Sequence, residues 1–370
     1  MAQIIRPDDQ EENIAAMQRD PFISGVVTVM LFASQLSAVD TVTRKSNGKK
    51  LGGTITGMSQ TGFTVKKSVG ESEAVQANDI SAIEWDGASG DLRLGNIDET
   101  GGKYASALQR YTKSKAETKT PSNELRAEID YSIARATARL ALFDPDKQQE
   151  AIHTLLAIQK SSPNHVRYFE SVGLLGQIQL ARGDLASAKE SFDIVAEAPW
   201  NEYKLLAKIF LARILVADKK LDDAIQEFAA AAATAATDST IEQSRKYEAL
   251  LGQSRTLIVM ARCAEALNIL EVITDNAPAD DGPIQAEAYC LQGNALQTLG
   301  RGKEAALAYL HVDILFPQEA DFHAEALFNL SKVWKLVQLP DRATDTEMKL
   351  VQKYPNSVWR KKLAETSPTN

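Results

Sequence analysis

The chain has 370 residues, a formal net charge of −8, 44% hydrophobic residues, 20 glycines and 12 prolines. This is the composition of an ordered protein rather than a disordered one, and the negative balance argues against general affinity for nucleic acid. Two cysteines, Cys263 and Cys290, exclude a disulfide framework and are expected as free buried thiols.

Residues 1–38 read as a leader. No charged residue stands between Pro21 and Val39, and the apolar run from Phe22 to Ala33 ends in the small-residue stretch Ser37-Ala38. That pattern predicts a secretory signal cleaved after Ala38. Asp8, Asp9, Glu11 and Glu12 do not suit the positive region of such a signal, and a start at Met17 removes them. One alternative is an uncleaved inner-membrane anchor over residues 21–39, although Ser24, Gly25, Thr28, Ser34, Gln35 and Ser37 dilute it, since a comfortable span needs about 20 apolar residues; an incidental buried helix is the other. The expected location is therefore the periplasm or cell envelope, with membrane contact only through the leader if it stays attached.

From residue 39 to 90 the pattern alternates with period two. Thr54 to Met58 and Gly62 to Lys66 read as strands around the turn Ser59-Gln60-Thr61, and Ala74 to Ala77 and Ala82 to Trp85 as shorter ones. Asn47-Gly48 marks a hairpin turn, because both residues tolerate positive φ. Strands this short hide their edges by curling into a barrel. With bends at Gly52-Gly53 and Gly57, the segment resembles SH3-like or Sm-like barrels, with Trp85 expected either to close the barrel or to seal it against the first helices. Residues 41–70 carry Arg44, Lys45, Lys49, Lys50, Lys66 and Lys67 with no acid, whereas 71–100 carry eight acids and only Arg93. A basic face for nucleic acid or another anionic polymer is one reading. Edge lysines balanced by neighbouring acids are the other, and the scarcity of stacking aromatics beside Phe63 favours the latter.

Residues 91–123 are expected as a linker with one helix burying Tyr104, Leu108 and Tyr111, then a polar loop. The helical body is expected over 124–363, and 364–370 as a frayed tail.

Within that body a small residue is followed twelve positions later by alanine, in the pairs Gly176/Ala188, Ala212/Ala224, Ser254/Ala266, Gly293/Ala305 and Ser331/Ala343. Phe192, Phe228, Leu270 and Tyr309 follow four of these alanines at the next turn, and Pro199, Pro278, Pro317 and Pro355 come later. Small side chains are needed where two helices press closest, and a large one then fills the groove, so the spacing has a packing cause. It predicts helical hairpins in series. A less regular copy holds Ala151, Leu155 and Pro163, with Arg139 at the small position and Asp144-Pro145-Asp146 interrupting the hairpin, giving about six repeats. After Ala224 no proline arrives, and the alanines from 229 to 233 suggest a helix that continues.

These residues resemble the tetratricopeptide repeat (TPR) superfamily over roughly the C-terminal two thirds, with loops longer than the family's. Lys353-Tyr354-Pro355-Asn356-Ser357 is similar to the repeat endings of exported bacterial members, including those that coordinate envelope assembly. The fold class is thus mainly α, a TPR-type helical-hairpin solenoid preceded by a small all-β barrel. The resemblance implies that the first helix of each hairpin lines a concave groove and that the residue after the small position points into it. Those residues are Gln177, Arg213, Arg255, Asn294 and Lys332; seven positions earlier stand Glu170, Leu206, Glu248, Glu287 and Glu325. Two such stripes suit the backbone of an extended peptide, or each glutamate pairs along its own helix. Members that clamp a C-terminal carboxylate use a Lys/Asn set that Asn294, Lys332 and Lys335 match in type but not in register.

No residue set carries catalysis. There is no phosphate-binding glycine loop, His-Glu-x-x-His or Cys-x-x-Cys. Ser46 and Lys49 fit a Ser-x-x-Lys pattern on a hairpin tip without shelter, and His311, Asp313 and His323 lack ligand spacing. The reading is a non-enzymatic interaction scaffold with no cofactor, metal or small-molecule substrate and with a protein or peptide partner. Binding of nucleic acid or anionic polymer through residues 44–67 is the alternative, and an enzyme site assembled from scattered residues is the third possibility.

Overall fold

The computed structural model describes residues 39–236 and 238–366. The predicted signal, the Met17 start, the anchor alternative and the last four residues of the expected tail lie outside the described residues. Among the described residues no helix is long and apolar enough to cross a membrane.

Five strands, β1 (Asp40–Arg44), β2 (Lys50–Ser59), β3 (Gly62–Lys66), β4 (Glu73–Gln76) and β5 (Ile80–Glu84), form one antiparallel sheet in the order β4-β3-β2-β1-β5. Alternation in β2 buries Leu51 and Ile55, which meet Val42, Phe63, Val65 and Val75. The N-terminal part of β2 pairs with β1 (Asp40 opposite Gly53) and the rest with β3 (Thr54 opposite Lys66), so the strand serves both halves of the sheet. A Cβ on Gly53 would lie 2.5 Å from the Lys66 carbonyl oxygen, while one on Gly52 would meet nothing nearer than 3.6 Å. Gly57, at φ +63°, sits where the β2–β3 register shifts. The expected bend therefore falls on Gly53 and Gly57, and Gly52 is not needed for it. A short 3₁₀ turn, Ala77–Asp79, joins β4 to β5.

Among the described residues fifteen helices follow. Seven hairpins pair α1 (Gly90–Thr100) with α2 (Tyr104–Glu117), α3 (Asn123–Ala141) with α4 (Gln148–Ser161), and α5 (Tyr168–Arg182) with α6 (Leu185–Ala196). They continue with α7 (Asn201–Ala217) and α8 (Leu221–Ala233), α9 (Thr240–Val259) and α10 (Cys263–Asn276), α11 (Gly282–Thr298) and α12 (Gly302–Leu315), and α13 (Ala320–Leu336) and α14 (Pro340–Lys353). Helix α15 (Val358–Thr366) closes the series and takes in residues expected to fray. First helices of successive hairpins pack on one another from α3 to α13, which makes them the inner face of the solenoid.

The spacing of small residue, alanine and ring is explained by the seat it creates. A Cβ on Gly176 would come within 2.8 Å of the Phe192 ring, and one on Gly293 within 2.4 Å of Tyr309. Ala188 and Ala305, on the second helices, are fully buried beside these contacts. The same device joins hairpins: Phe192 stacks on Phe210 at 4.5 Å, and a Cβ on Gly252 would lie 2.5 Å from Phe228. Seven residues after each small position the chain turns with positive φ, at Gly183, Lys219, Ala261, Gly300 and Gln338.

Two expectations need correction. Residues 91–123 hold a complete hairpin rather than a linker and one helix, and its register is that of the others. Gly95 seats Tyr111 with a Cβ distance of 2.5 Å, Ala107 is fully buried, and Gly102 takes the turn at φ +72°. The Tyr111 hydroxyl donates to Asn96 as the Tyr309 hydroxyl donates to Asn294 (2.8 and 2.7 Å), so the first and sixth hairpins share a motif. Helix α8, expected to run on, ends at Ala233; the Thr234 hydroxyl donates back to the carbonyls of Ala230 and Ala231, and Glu242 accepts from the Ala236 amide at 2.8 Å. The extra residues of that repeat enter this loop and the 20-residue α9.

The sheet and the first hairpins share one core. Trp85 and Ile83 pack with Leu92, Tyr111, Leu125, Ile129 and Val166 in a single apolar cluster. Gln60 donates to the Pro163 carbonyl at 2.8 Å, and the Trp200 indole to Gln76 at 3.1 Å. From Val39 onward the chain is one compact unit, without a break in packing at residue 90 or 123.

Two substitutions test the seat and the turn. Gly293→Ala gains about 1 kcal/mol in helix propensity, but it drives a methyl into the buried Tyr309 ring, an overpacking that costs about 1–3 kcal/mol; the urea midpoint should fall. Ala261→Gly relieves a left-handed alanine at φ +59°, and should raise stability by roughly 0.5–1 kcal/mol. A neutral first variant would mean that the ring is not held by the glycine.

Candidate functional site

The inner face places the residues singled out by register in two groups. Glu170, Gln177, Leu206, Arg213 and Glu248 surround one cavity of about 550 Å³. Arg255, Glu287, Asn294, Glu325 and Lys332 lie further along, on α9, α11 and α13.

Donors and carboxylates of the two stripes meet between successive helices. Arg213 on α7 donates to Glu248 on α9 at 2.8 Å, Arg255 on α9 to Glu287 on α11 at 2.6 Å, and Asn294 on α11 to Glu325 on α13 at 3.2 Å. The donor follows one small position and the acceptor precedes the next, so the repeat itself generates a ladder across the hairpins. Glu170 and Glu248 also pair with the residue three positions earlier, Arg167 at the start of α5 at 3.6 Å and Arg245 on α9 at 2.6 Å. Gln177 faces the position held by Leu206, which offers no acceptor, and Lys332 has no following repeat; its ammonium lies 4.0 Å from the centre of the Phe328 ring. The Arg255 side chain is 59% exposed, so its pair positions the side chain more than it stabilises the fold.

The cavity has a roof absent from the repeat pattern. Its walls are the inner faces of α3, α5, α7 and α9, and Lys45, Ala77, Asn78 and Ile80 of the sheet close one side. Helical spacing explains the helical walls: Glu170, Gly173, Leu174 and Gln177 recur at intervals that keep them on one face of α5, as Leu206, Phe210 and Arg213 do on α7. A second cavity of about 930 Å³ shares Lys45, Asn78, Glu202 and Ile241 with the first, so the cleft continues beneath the sheet.

Charge inside the cleft is unevenly compensated. Burial pushes the Glu170 carboxyl up, but Arg167 and Arg135 outweigh it and hold the group below its ordinary value. At Glu202 burial prevails over Lys45 and Arg245, and the pKa is raised. Glu325 is likewise raised, by burial first, against the hydrogen bond from Asn294.

The remaining residues singled out in the sequence lie apart from this cleft or at its edge. Arg44, Lys49 and Lys67 all pair with Glu73, at 3.0, 3.3 and 3.0 Å, and Lys50 pairs with Glu84 at 3.4 Å. Glu73 thus shares one charge among three cations, and the basic set of the sheet is only partly compensated by acids on β4 and β5. Ser46 and Lys49 stand on the exposed β1–β2 hairpin. His311 stacks on Tyr289 at 4.6 Å, whereas His323 bridges Tyr354 and Asp313 at 2.6 Å each and fastens the last hairpin. Cys263 and Cys290 are buried and free.

No family model matches the chain, and no curated protein does. Solved structures are similar in fold. Apo RapI superposes with a TM-score of 0.51 at 14% identity, covering 72% of this chain and 76% of that one. A tetratricopeptide repeat protein from Parabacteroides merdae gives 0.51 at 14% identity, covering 74% and 96%. A Rap protein complexed with Competence and Sporulation Factor gives 0.51 at 13% identity, covering 74% and 79%. The likeness is one of architecture, a TPR-type solenoid.

The raised Glu325 carboxyl yields a signed pH dependence. A folded-state pKa above the ordinary 4.5 means that ionised Glu325 opposes folding at neutral pH and that the penalty disappears once both states are protonated. Glu325→Gln should therefore be more stable than the parent at pH 7, with the difference shrinking as pH falls through the folded value towards about 4.5. A difference in melting temperature that stays constant across that range would contradict the assignment.

Proposed function

We propose that the protein is a non-enzymatic interaction scaffold that holds an extended segment of a protein partner along the inner face of its first helices. The roofed cavity of about 550 Å³ carries this reading. It is concave, it joins a few apolar groups such as Leu206 and Phe210 to fixed polar ones, and it continues into a longer cleft. The ladder from Arg213 to Glu325 supports it by holding polar side chains at one height on successive helices. That one neighbour of the same architecture was solved in complex with Competence and Sporulation Factor is in keeping with a partner of some kind. We read the sheet as a small SH3-like or Sm-like barrel, a reading supported by the bend of β2 at Gly53 and the 3₁₀ turn before β5. Nucleic-acid or polymer binding through the sheet is disfavoured by the chain's net negative charge and by the scarcity of stacking aromatics beside the basic residues.

The test compares two surfaces. Leu206→Asp combined with Gln177→Ala should weaken capture of a partner from the envelope fraction by tenfold or more, since a buried leucine contact is worth about 1.5–3 kcal/mol. Joint replacement of Lys49, Lys50, Lys66 and Lys67 by Gln should leave capture intact. The opposite outcome would move function to the sheet.

The cellular site in this proposal is the periplasm or envelope, a reading that rests on the apolar run from Phe22 to Ala33. Expressed from Met17 in its own host, the protein should be recovered outside the cytoplasm with Val39 at or near its N-terminus. Cytosolic protein with Met17 intact would overturn export.

A further inference from the structure

The loop between α4 and α5 buries a histidine against a carboxylate. His165 is 4% exposed, and its Nε2 lies 3.5 Å from a carboxylate oxygen of Glu128 on α3, itself buried. Among the described residues neither atom has a hydrogen-bond partner. On the other side of the ring the Arg167 amide donates to Nδ1 at 3.4 Å. That amide assigns the neutral ring its Nε2–H tautomer, so a further proton has to enter at Nδ1, where it meets another N–H. The charged and titratable groups around the ring are Glu128 and Tyr131 on α3, Arg167 beside it and Glu170 on α5. Burial lowers the His165 pKa and outweighs the pull of Glu128, Arg167 lowers it again, and Glu170 opposes, which leaves it below the ordinary 6.5. Burial also keeps the Tyr131 phenol un-ionised.

The same loop ties three parts of the molecule together. Gln60 of the β2–β3 turn donates to the Pro163 carbonyl at 2.8 Å, Val166 lies in the core shared with Trp85 and Ile83, and Arg167 caps α5 and lines the first cavity. We propose that His165 is a proton-operated latch: protonation at Nδ1 breaks the hydrogen bond with the Arg167 amide, and the loop then loosens both the start of α5 and its hold on the sheet, opening one wall of the cleft. The inference goes beyond the scaffold reading and holds whatever segment the cleft carries. A buried donor without an acceptor is destabilising, so opening of the turn is what accommodates the proton. The sign follows from the lowered pKa: the latch contributes fully above about pH 6.5 and is lost as the pH falls from there through the folded-state value.

Hydrogen exchange on the full chain tests the latch. After correction for the intrinsic pH dependence of exchange, peptides covering residues 163–172 should exchange about tenfold faster at about pH 5 than at about pH 7, the rise expected when proton affinity differs by roughly one pKa unit between closed and open loop. Peptides from α11 and α12 should not change. His165→Gln keeps an acceptor for the Arg167 amide and a donor towards Glu128 but does not titrate, so its exchange should lose this dependence. In an NMR titration the His165 ring protons and the Arg167 amide should move together, with a midpoint below 6.5. Glu128→Gln removes the charge that favours the proton and should lower that midpoint further. Parental exchange that is independent of pH, an equal rise in His165→Gln, an Arg167 amide that does not follow the ring, or a midpoint unmoved or raised by Glu128→Gln would each overturn the latch. The scaffold reading is decided separately, by the dependence of partner capture on Leu206 and Gln177.

Discussion

In three of the seven hairpins the distance between the two helices is set by a ring lying against a helix backbone that has no side chain at the point of contact, and in others alanine or serine holds the same position. Gly95, Gly176 and Gly293 provide that bare surface for Tyr111, Phe192 and Tyr309. Because interiors are close-packed, a ring seated this way fixes both separation and rotation of the pair. Phe210 and Gly252 extend the contact to the preceding hairpin, through Phe192 and Phe228. Once rotation is fixed, the residue after the small position must face inward and the one seven places earlier must face the neighbouring helix. The ladder of Arg213, Arg255 and Asn294 with Glu248, Glu287 and Glu325 is the electrostatic consequence of that steric decision.

The ladder also explains why equally charged residues on one face differ in what they can offer. A guanidinium held by a carboxylate of the next hairpin is oriented but occupied. Where the pattern fails, at Gln177 opposite Leu206, the face opens into the cavity, and there the sheet brings its own Lys45 and Asn78. The proposed site thus lies at an irregularity of the repeat.

What the sequence disclosed follows from the range of the interactions involved. Seats and alanines lie sixteen residues apart or fewer, so the spacing around Gly176 or Gly293 could be read directly, as could the alternation of Leu51, Ile55, Phe63 and Val65. The copy at Gly95, Ala107 and Tyr111 has the same spacing, but it stands 44 residues before Ala151, outside the period of the others, so the period does not point to it. The turns at Lys219, Ala261 and Gln338 carry no glycine to announce their positive φ. The roof of the cavity was not legible at all, because it joins residues 45 and 77–80 to residues 139–248, and no local pattern encodes a contact of that span.

The common core of the sheet and the first hairpins makes the two ends of the molecule unequal in evolution. Toward the C-terminus each hairpin touches chiefly its neighbours, so a duplication or deletion of one unit among α9 to α14 leaves two compatible surfaces to rejoin. Near the N-terminus the same event would pull Trp200 and Pro163 away from Gln76 and Gln60, and with them the roof of the cleft. A change in copy number should therefore be absorbed more readily at the C-terminal end, where it lengthens or shortens the inner face, than at the compartment beneath the sheet.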